Sequence, residues 1–177
     1  MKRILDLCGG PDAWSAPYRE AGYDVQMVDL PTDVRLLCHD TIPVHGILAA
    51  PPCTAFSYAR NRYPAEGDEL LAALSVVDAC LRAVTIHRPR WWALENPRAL
   101  LRRYLGPARL EFYQWEYGDA GHKPTCIWGD FTVPWKRPPA HTQRTTPATW
   151  QTAQANALPA DARTPAGFAR AFFQANP

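Results

Sequence analysis

Short apolar runs recur along the first 130 positions, each closing on a polar or turn-forming residue. Ile4-Leu5-Asp6-Leu7 predicts a first strand, with Cys8-Gly9-Gly10-Pro11 as its exit turn. Ala13 to Ala21 reads as a helix closed by Gly22, provided that Pro17 falls in its first turn. Tyr23 to Asp29 predicts a second strand ending on an acid, and Leu36 to Asp40 a short element ending on another. Gly46-Ile47-Leu48-Ala49-Ala50 predicts a strand that runs into Pro51-Pro52-Cys53. From Asp68 to His87 the apolar period becomes helical: Leu70, Leu71, Leu74, Val77, Leu81 and Val84 share a face, with acids near the start. Trp91 to Leu94 is the next strand and Leu100 to Tyr104 a short helix. Phe112 to Trp115 and Thr125 to Trp128 follow as strands around a Tyr117-Gly121 turn. Residues 133–160 read as irregular, and a last helix is predicted over Pro165 to Gln174 behind a Thr164 cap. Alternating strands and helices predict an α/β fold, a mainly parallel doubly wound sheet with helices on both faces.

With 177 residues the chain is most simply one domain, 1–177, large enough to bury a real core. A hydrophobic share of 47% against 20% charged residues argues against disorder. No apolar run is expected to span a membrane, and Met1-Lys2-Arg3 leads directly into a strand without the apolar core of a signal peptide, which predicts a cytoplasmic protein. Five cysteines without a CxxC pair fit reduced thiols better than a disulfide framework or a zinc site, so no metal is expected. The net charge of +2 says little, but Arg60 and Arg62, Arg98, Arg102 and Arg103, and Lys136 with Arg137 form local basic clusters suited to phosphates or to plain solvation.

Two segments carry chemistry. Pro51-Pro52-Cys53-Thr54-Ala55-Phe56-Ser57 stiffens a strand exit and presents a thiol there, because proline fixes φ and removes backbone donors. Glu95-Asn96-Pro97 ends another apolar strand with a carboxylate. In an open parallel sheet both would face one crevice, at the carboxyl ends of the strands. The Gly9-Gly10 turn invites close approach of a ligand to the backbone, and Asp29 stands about 20 residues on, where an acid holds a ribose in nucleotide-binding folds. Asp40 is placed to meet an adenine amino group, or else to cap a turn.

Asp-Leu-x-x-Gly, the strand-ending Asp29, Pro-Pro-Cys-x-x-Phe-Ser and Glu-Asn-Pro occur here in the order in which they occur in the cytosine-5 DNA methyltransferases. The chain resembles that family from Ile4 to about Trp128. Gln114-Trp115-Glu116-Tyr117-Gly118 with Lys123-Pro124-Thr125-Cys126-Ile127-Trp128 is similar to its small, phage-type members. The resemblance implies a Rossmann-like class I domain that uses S-adenosylmethionine as cofactor, held by Asp6, Gly9, Gly10, Asp29, Asp40 and Pro51, with Trp14 packed nearby. It implies Cys53 as a nucleophile of lowered pKa adding to carbon 6 of cytosine, and Glu95 as the acid that binds the base. Ser57, Arg60, Arg62, Asn96, Gln114 and Lys123 would contact substrate, with Lys123 as the cation near the cytosine carbonyl.

The chain also departs from the family. The pair of arginines that grips the base has no clear match, and only a short stretch separates Trp128 from the last helix, where sequence-reading relatives insert a recognition domain. The usual Gly-Asn near the C-terminus is absent, and Thr164-Pro165-Ala166-Gly167 stands in its place. With less surface to offset the few kcal/mol of base flipping, duplex DNA, single-stranded DNA, a partner chain for target recognition and a free cytidine nucleotide all stay open. A catalytically silent nucleic-acid-binding or regulatory protein is the alternative of a different class.

Overall fold

A computed structural model describes residues 1–10, 13–38, 40–58, 63–119, 121–136 and 164–177. The irregular region predicted over 133–160 lies outside them from position 137 onward, as do Arg60 and Arg62. Six strands, β1 (Arg3–Leu7), β2 (Asp24–Val28), β3 (Val44–Ala49), β4 (Trp91–Pro97), β5 (Leu110–Tyr113) and β6 (Pro124–Asp130), form one sheet in the order β2-β1-β3-β4-β6-β5. The β2-β1-β3-β4 half is parallel, whereas β6 runs antiparallel to both β4 and β5.

The helices are α1 (Ala16–Glu20), α2 (Gly67–His87), α3 (Arg102–Leu105) and α4 (Ala166–Ala175). Strand alternation sends Leu5, Leu7, Ile47, Ala49 and Leu94 to one face, where Val77, Ala79, Cys80 and Ala83 of α2 cover them. Ile4, Leu48, Trp91, Ala93 and Ile127 point the other way, under Tyr18 of α1 and Phe168 and Phe172 of α4. Both faces of the central strands are therefore buried, which is why they read as nearly unbroken apolar runs rather than as alternation.

On the second face the core is largely aromatic. Trp14 meets Phe168 and Phe172 at ring separations of 5.9 and 5.4 Å, and Phe112 stacks on Phe168 at 4.2 Å. The Asp119 carboxylate accepts the Gly167 amide at 3.0 Å and so holds the first turn of α4. A Cβ on Gly167 would collide with the Tyr117 carbonyl, so only glycine permits this approach. At the far end Tyr18 Oη donates to the Asn176 carbonyl at 2.9 Å, fastening α4 to α1.

Several boundaries differ from expectation. α1 is a single turn and a half, because Pro17 can stand only near its start. The element predicted over Leu36 to Asp40 is instead a 3₁₀ turn, Val34–Leu36, whose first amides are capped by Asp33. Pro165 rather than Thr164 stands at the N-cap position of α4, and it makes no side-chain cap bond. Contrary to the expectation of no such run, α2 is long and apolar enough to cross a membrane by length and composition; here it packs on the sheet through the residues named above.

Candidate active site

The chain crosses from β2 to β3 on the far side of β1, so the sheet changes direction between β1 and β3. Ligands in open α/β sheets bind outside the carboxyl ends of strands at such a point. The exits of β1 and β3 flank it, and both carry candidate residues.

Past β1 the backbone turns sharply: Cys8 has φ +58° and Gly10 φ +64°. The Cys8 amide donates to the Val28 carbonyl at 2.8 Å, and the Gly10 amide donates to Asp29 Oδ2 at 2.7 Å. Asp29 Oδ1 accepts from the Leu30 amide at 2.8 Å. Asp29 thus closes the exit loop of β1 onto the end of β2. A Cβ on Gly9 would collide with the Asp6 carboxylate, whereas among the described residues nothing lies within 4 Å of the place of a Cβ on Gly10. Asp6 is fully buried and accepts from Ser15 Oγ, and Asp6 Oδ1 has no hydrogen-bond partner among the described residues. Burial pushes the Asp6 carboxyl up to about 6.

Asp40 does not join this group. Its carboxylate pairs with Arg3 at 2.9 Å and accepts from the Ile42 amide at 3.0 Å. Arg3 opens β1 and bonds in turn to Asp24, which opens β2, so Asp40 belongs to the amino end of the sheet. The expected adenine contact from Asp40 is corrected accordingly: a 3₁₀ turn replaces the third element, and the chain has already returned across the sheet. Asp33, which the strand-end pattern passes over, stands nearer the crevice. The Cys8 thiol, held down by a hydrogen bond from Cys80, feels the charges of Asp29, Asp6 and Asp33 together. The signal in the sequence is Thr32-Asp33-Val34 just past β2, a capping pattern rather than a strand end.

On the β3 side Cys53 begins a 3₁₀ turn, Thr54–Phe56, and its carbonyl accepts from the Phe56 amide at 2.9 Å. Phe56 is buried, and its carbonyl accepts from the Leu100 amide at 2.9 Å. Asn96, fully buried, donates from Nδ2 to the Pro51 carbonyl at 2.9 Å. Two hydrogen bonds therefore clamp the Cys53 loop to the segment that carries Glu95. Pro51 contributes this carbonyl, and Asn96 serves the loop.

Glu95 pairs with Lys123 Nζ at 3.8 Å. That is longer than the roughly 2.7–2.9 Å of a strong charge-assisted bond, and burial prevails: the Glu95 carboxyl is pushed up by desolvation, with Lys123 opposing. Burial likewise raises the Cys53 thiol, Lys123 lowers it and Glu95 raises it further. The expected lowered pKa of Cys53 is thereby corrected, since one cation does not offset desolvation in this pocket. The mutual influence of Cys53, Glu95 and Lys123 brings a thiol, a carboxyl that burial shifts toward its protonated form and a lysine side chain near one another. Such a set can add sulfur to an electron-poor ring and hold a proton where charge develops.

Ser57 ends the Cys53 turn. Gln114 contributes to the loop before β6: its carbonyl accepts from the Asp119 amide, and its side chain covers Gly121. Beyond β6 lies a groove that the apolar pattern hides, because its aromatic residues read as strand. Tyr113, Trp115, Arg98 and Lys136 line it together with Glu111 and Glu116.

A scan against protein-family models and a search of curated proteins give no match. Among solved structures, the chain is similar to a candidate DNA modification methyltransferase encoded within an E. coli prophage. The two share 19% sequence identity at a TM-score of 0.52, over 73% of this chain and 47% of that one. At that identity the likeness establishes a common fold, over about half the length of the larger protein.

Proposed function

We propose that this chain is an S-adenosylmethionine-dependent methyltransferase acting on carbon 5 of cytosine in DNA. The observation that carries the proposal is the clamp between the Cys53 loop and the Glu95 strand, with Lys123 across from both. The prophage protein of the same fold, described as a candidate DNA modification methyltransferase, points to the same class of substrate.

The β1 exit suits the cofactor. Gly9 leaves no room for a side chain, and among the described residues nothing crowds Gly10 and Asp6 Oδ1 is a buried acceptor without a partner. Asp6, Gly9, Gly10 and Asp29 would hold it, with Asp33 nearby. When bound, the cofactor supplies a methyl group on a sulfonium, an electrophile for a carbon nucleophile.

Carbon 5 of cytosine is a poor nucleophile, and the residues of the pocket correct this. Cys53 Sγ, as thiolate, forms a bond to carbon 6, and the electron pair of the 5,6 double bond moves into the ring. Glu95, whose carboxyl burial shifts toward the protonated form, hydrogen-bonds the ring nitrogen and gives it a proton as charge builds there. Carbon 5, now enamine-like, takes the methyl group. Loss of the carbon-5 proton to a base then re-forms the double bond, expels Cys53 as thiolate and lets Glu95 recover its proton. Lys123 favours the thiolate before attack and after release.

The test is transfer of tritium from methyl-labelled S-adenosylmethionine to duplex DNA, single-stranded DNA, RNA or free cytidine nucleotides, with Cys53→Ala as control. Transfer to cytosine in DNA, abolished by the substitution, supports the proposal. Transfer to the nucleotide alone moves the substrate class. Nucleic-acid binding without cofactor binding supports the silent alternative.

A further inference from the structure

Immediately past the catalytic strand ends lies a groove of about 250 Å³, lined by Arg98, Tyr113, Trp115, Pro124, Thr125 and Lys136 with their acidic partners. It is smaller than the cavities that take drug-sized molecules and has the scale of one flat ring. Tyr113 and Trp115 lie 17° from parallel at a separation of 6.2 Å, and both are half-buried. Arg98 sits over the Tyr113 ring at 5.6 Å and donates to Tyr113 Oη at 3.2 Å, fixing its plane. The Glu116 carboxylate accepts the Tyr113 amide at 2.7 Å and pairs with Lys136 at the same distance. Glu111 lies 3.8 Å from both Arg98 and Arg102. Each carboxylate is thus matched by a cation. The wall is close to neutral, with Arg98 over the Tyr113 ring, Trp115 lining the groove beside it and Arg102 next to Glu111.

Position completes the picture. The Arg98 amide donates to the Pro124 carbonyl at 2.9 Å, so the groove begins where β4 ends and β6 starts, three residues past Glu95 and on the opposite side of the strand from it. A base held against Glu95 would have its neighbour on the same strand pass the end of β4 to meet this surface. We propose that the groove is a stacking subsite for an unpaired nucleobase adjoining the target cytosine, with the Arg98 and Arg102 rim toward its phosphate. The subsite rests on the cytosine-methyltransferase reading of the pocket and deepens it: the substrate is a strand engaged in unpaired form over at least two nucleotides. Stacking suits this because every base has a π face, and it needs no recognition domain.

The experiment uses single-stranded oligonucleotides carrying 2-aminopurine on the 5′ or 3′ side of one cytosine, bound to the full chain and to Trp115→Ala and Trp115→Phe. The wild type quenches the probe at one of the two positions, Trp115→Ala does not, and Trp115→Phe restores quenching. Affinity falls about tenfold in Trp115→Ala, as loss of one base–aromatic stack predicts. The slope of log affinity against log salt stays unchanged, since no phosphate contact is lost. Thermal melting identifies any variant that fails to fold, and the wild-type quenching alone then decides. Unquenched probe at both positions, or Trp115→Ala binding within about twofold of wild type, overturns the subsite. If cytosine methylation persists alongside such a result, only the subsite falls. If the wild type neither binds oligonucleotides nor methylates cytosine, both readings fall.

Discussion

Replacing Asn96 by alanine removes the hydrogen bond that ties the Cys53 loop to the Glu95 strand. Asn96 is fully buried, and the bond to the Pro51 carbonyl is 2.9 Å long. A buried carbonyl left without its donor costs about 1–3 kcal/mol. Asn96 Oδ1 lacks a partner among the described residues, so truncation also relieves one desolvated acceptor, which holds the net loss near 2 kcal/mol. In a chain of this size each kcal/mol moves the midpoint by about 2–4 °C, so Tm should fall by about 4–8 °C. The Leu100–Phe56 backbone bond keeps part of the clamp, so the protein should remain folded at 20 °C. Activity should fall more than stability does, because a displacement of about 1 Å between nucleophile and acid costs up to about a hundredfold. Thermal unfolding measures the first effect. Tritium transfer under folded conditions measures the second. A Tm within about 1 °C of wild type, or transfer unchanged in a variant that has lost stability, would refute the claim that this bond aligns the site.

Alkylation of Cys53 by iodoacetamide, followed by peptide mass spectrometry to separate it from exposed Cys38, should require higher pH than a free thiol does. At fixed pH it should slow in Lys123→Met and speed up in Glu95→Gln, because Lys123 lowers the thiol and Glu95 raises it; the opposite order contradicts the pocket electrostatics. Asp6, at about 6 in the folded state, binds its proton more tightly than the unfolded chain does. Its contribution to stability is therefore full below about pH 4 and declines by up to about 3 kcal/mol as pH rises through 6. Asp6→Asn should gain stability over wild type near pH 8 and little near pH 4, while losing cofactor binding; a gain independent of pH in urea titrations would refute burial as the cause.

The parallel half of the sheet was legible because strands covered on both faces leave unbroken apolar runs, and α2 was legible from its helical period to within one residue of its start. The placement of Cys53 and Glu95 near strand ends was legible because two prolines before a thiol, and an acid late in an apolar strand, both mark such ends in the sequence. The antiparallel course of β6 was hidden, since strand direction leaves no trace in residue pattern. Asp40 misled because an acid after apolar residues looks the same whether a strand ends or a 3₁₀ turn has just returned the chain. The raised Cys53 thiol was hidden as well: desolvation depends on what packs around the loop, and Asn96, Leu100 and Glu95 come from distant sequence. The Tyr113–Trp115 surface escaped notice because two aromatic residues spaced by two on a strand look the same as core.

The proposed covalent bond between Cys53 and carbon 6 of cytosine can be trapped with DNA bearing 5-fluorocytosine in the presence of S-adenosylmethionine. Fluorine in place of the carbon-5 proton blocks the last elimination, so Cys53 cannot leave. The expected result is a denaturant-stable protein–DNA complex, formed by the wild type and absent in Cys53→Ser, with the modified peptide mapping to Cys53. Methyl transfer to DNA without any such complex would contradict it.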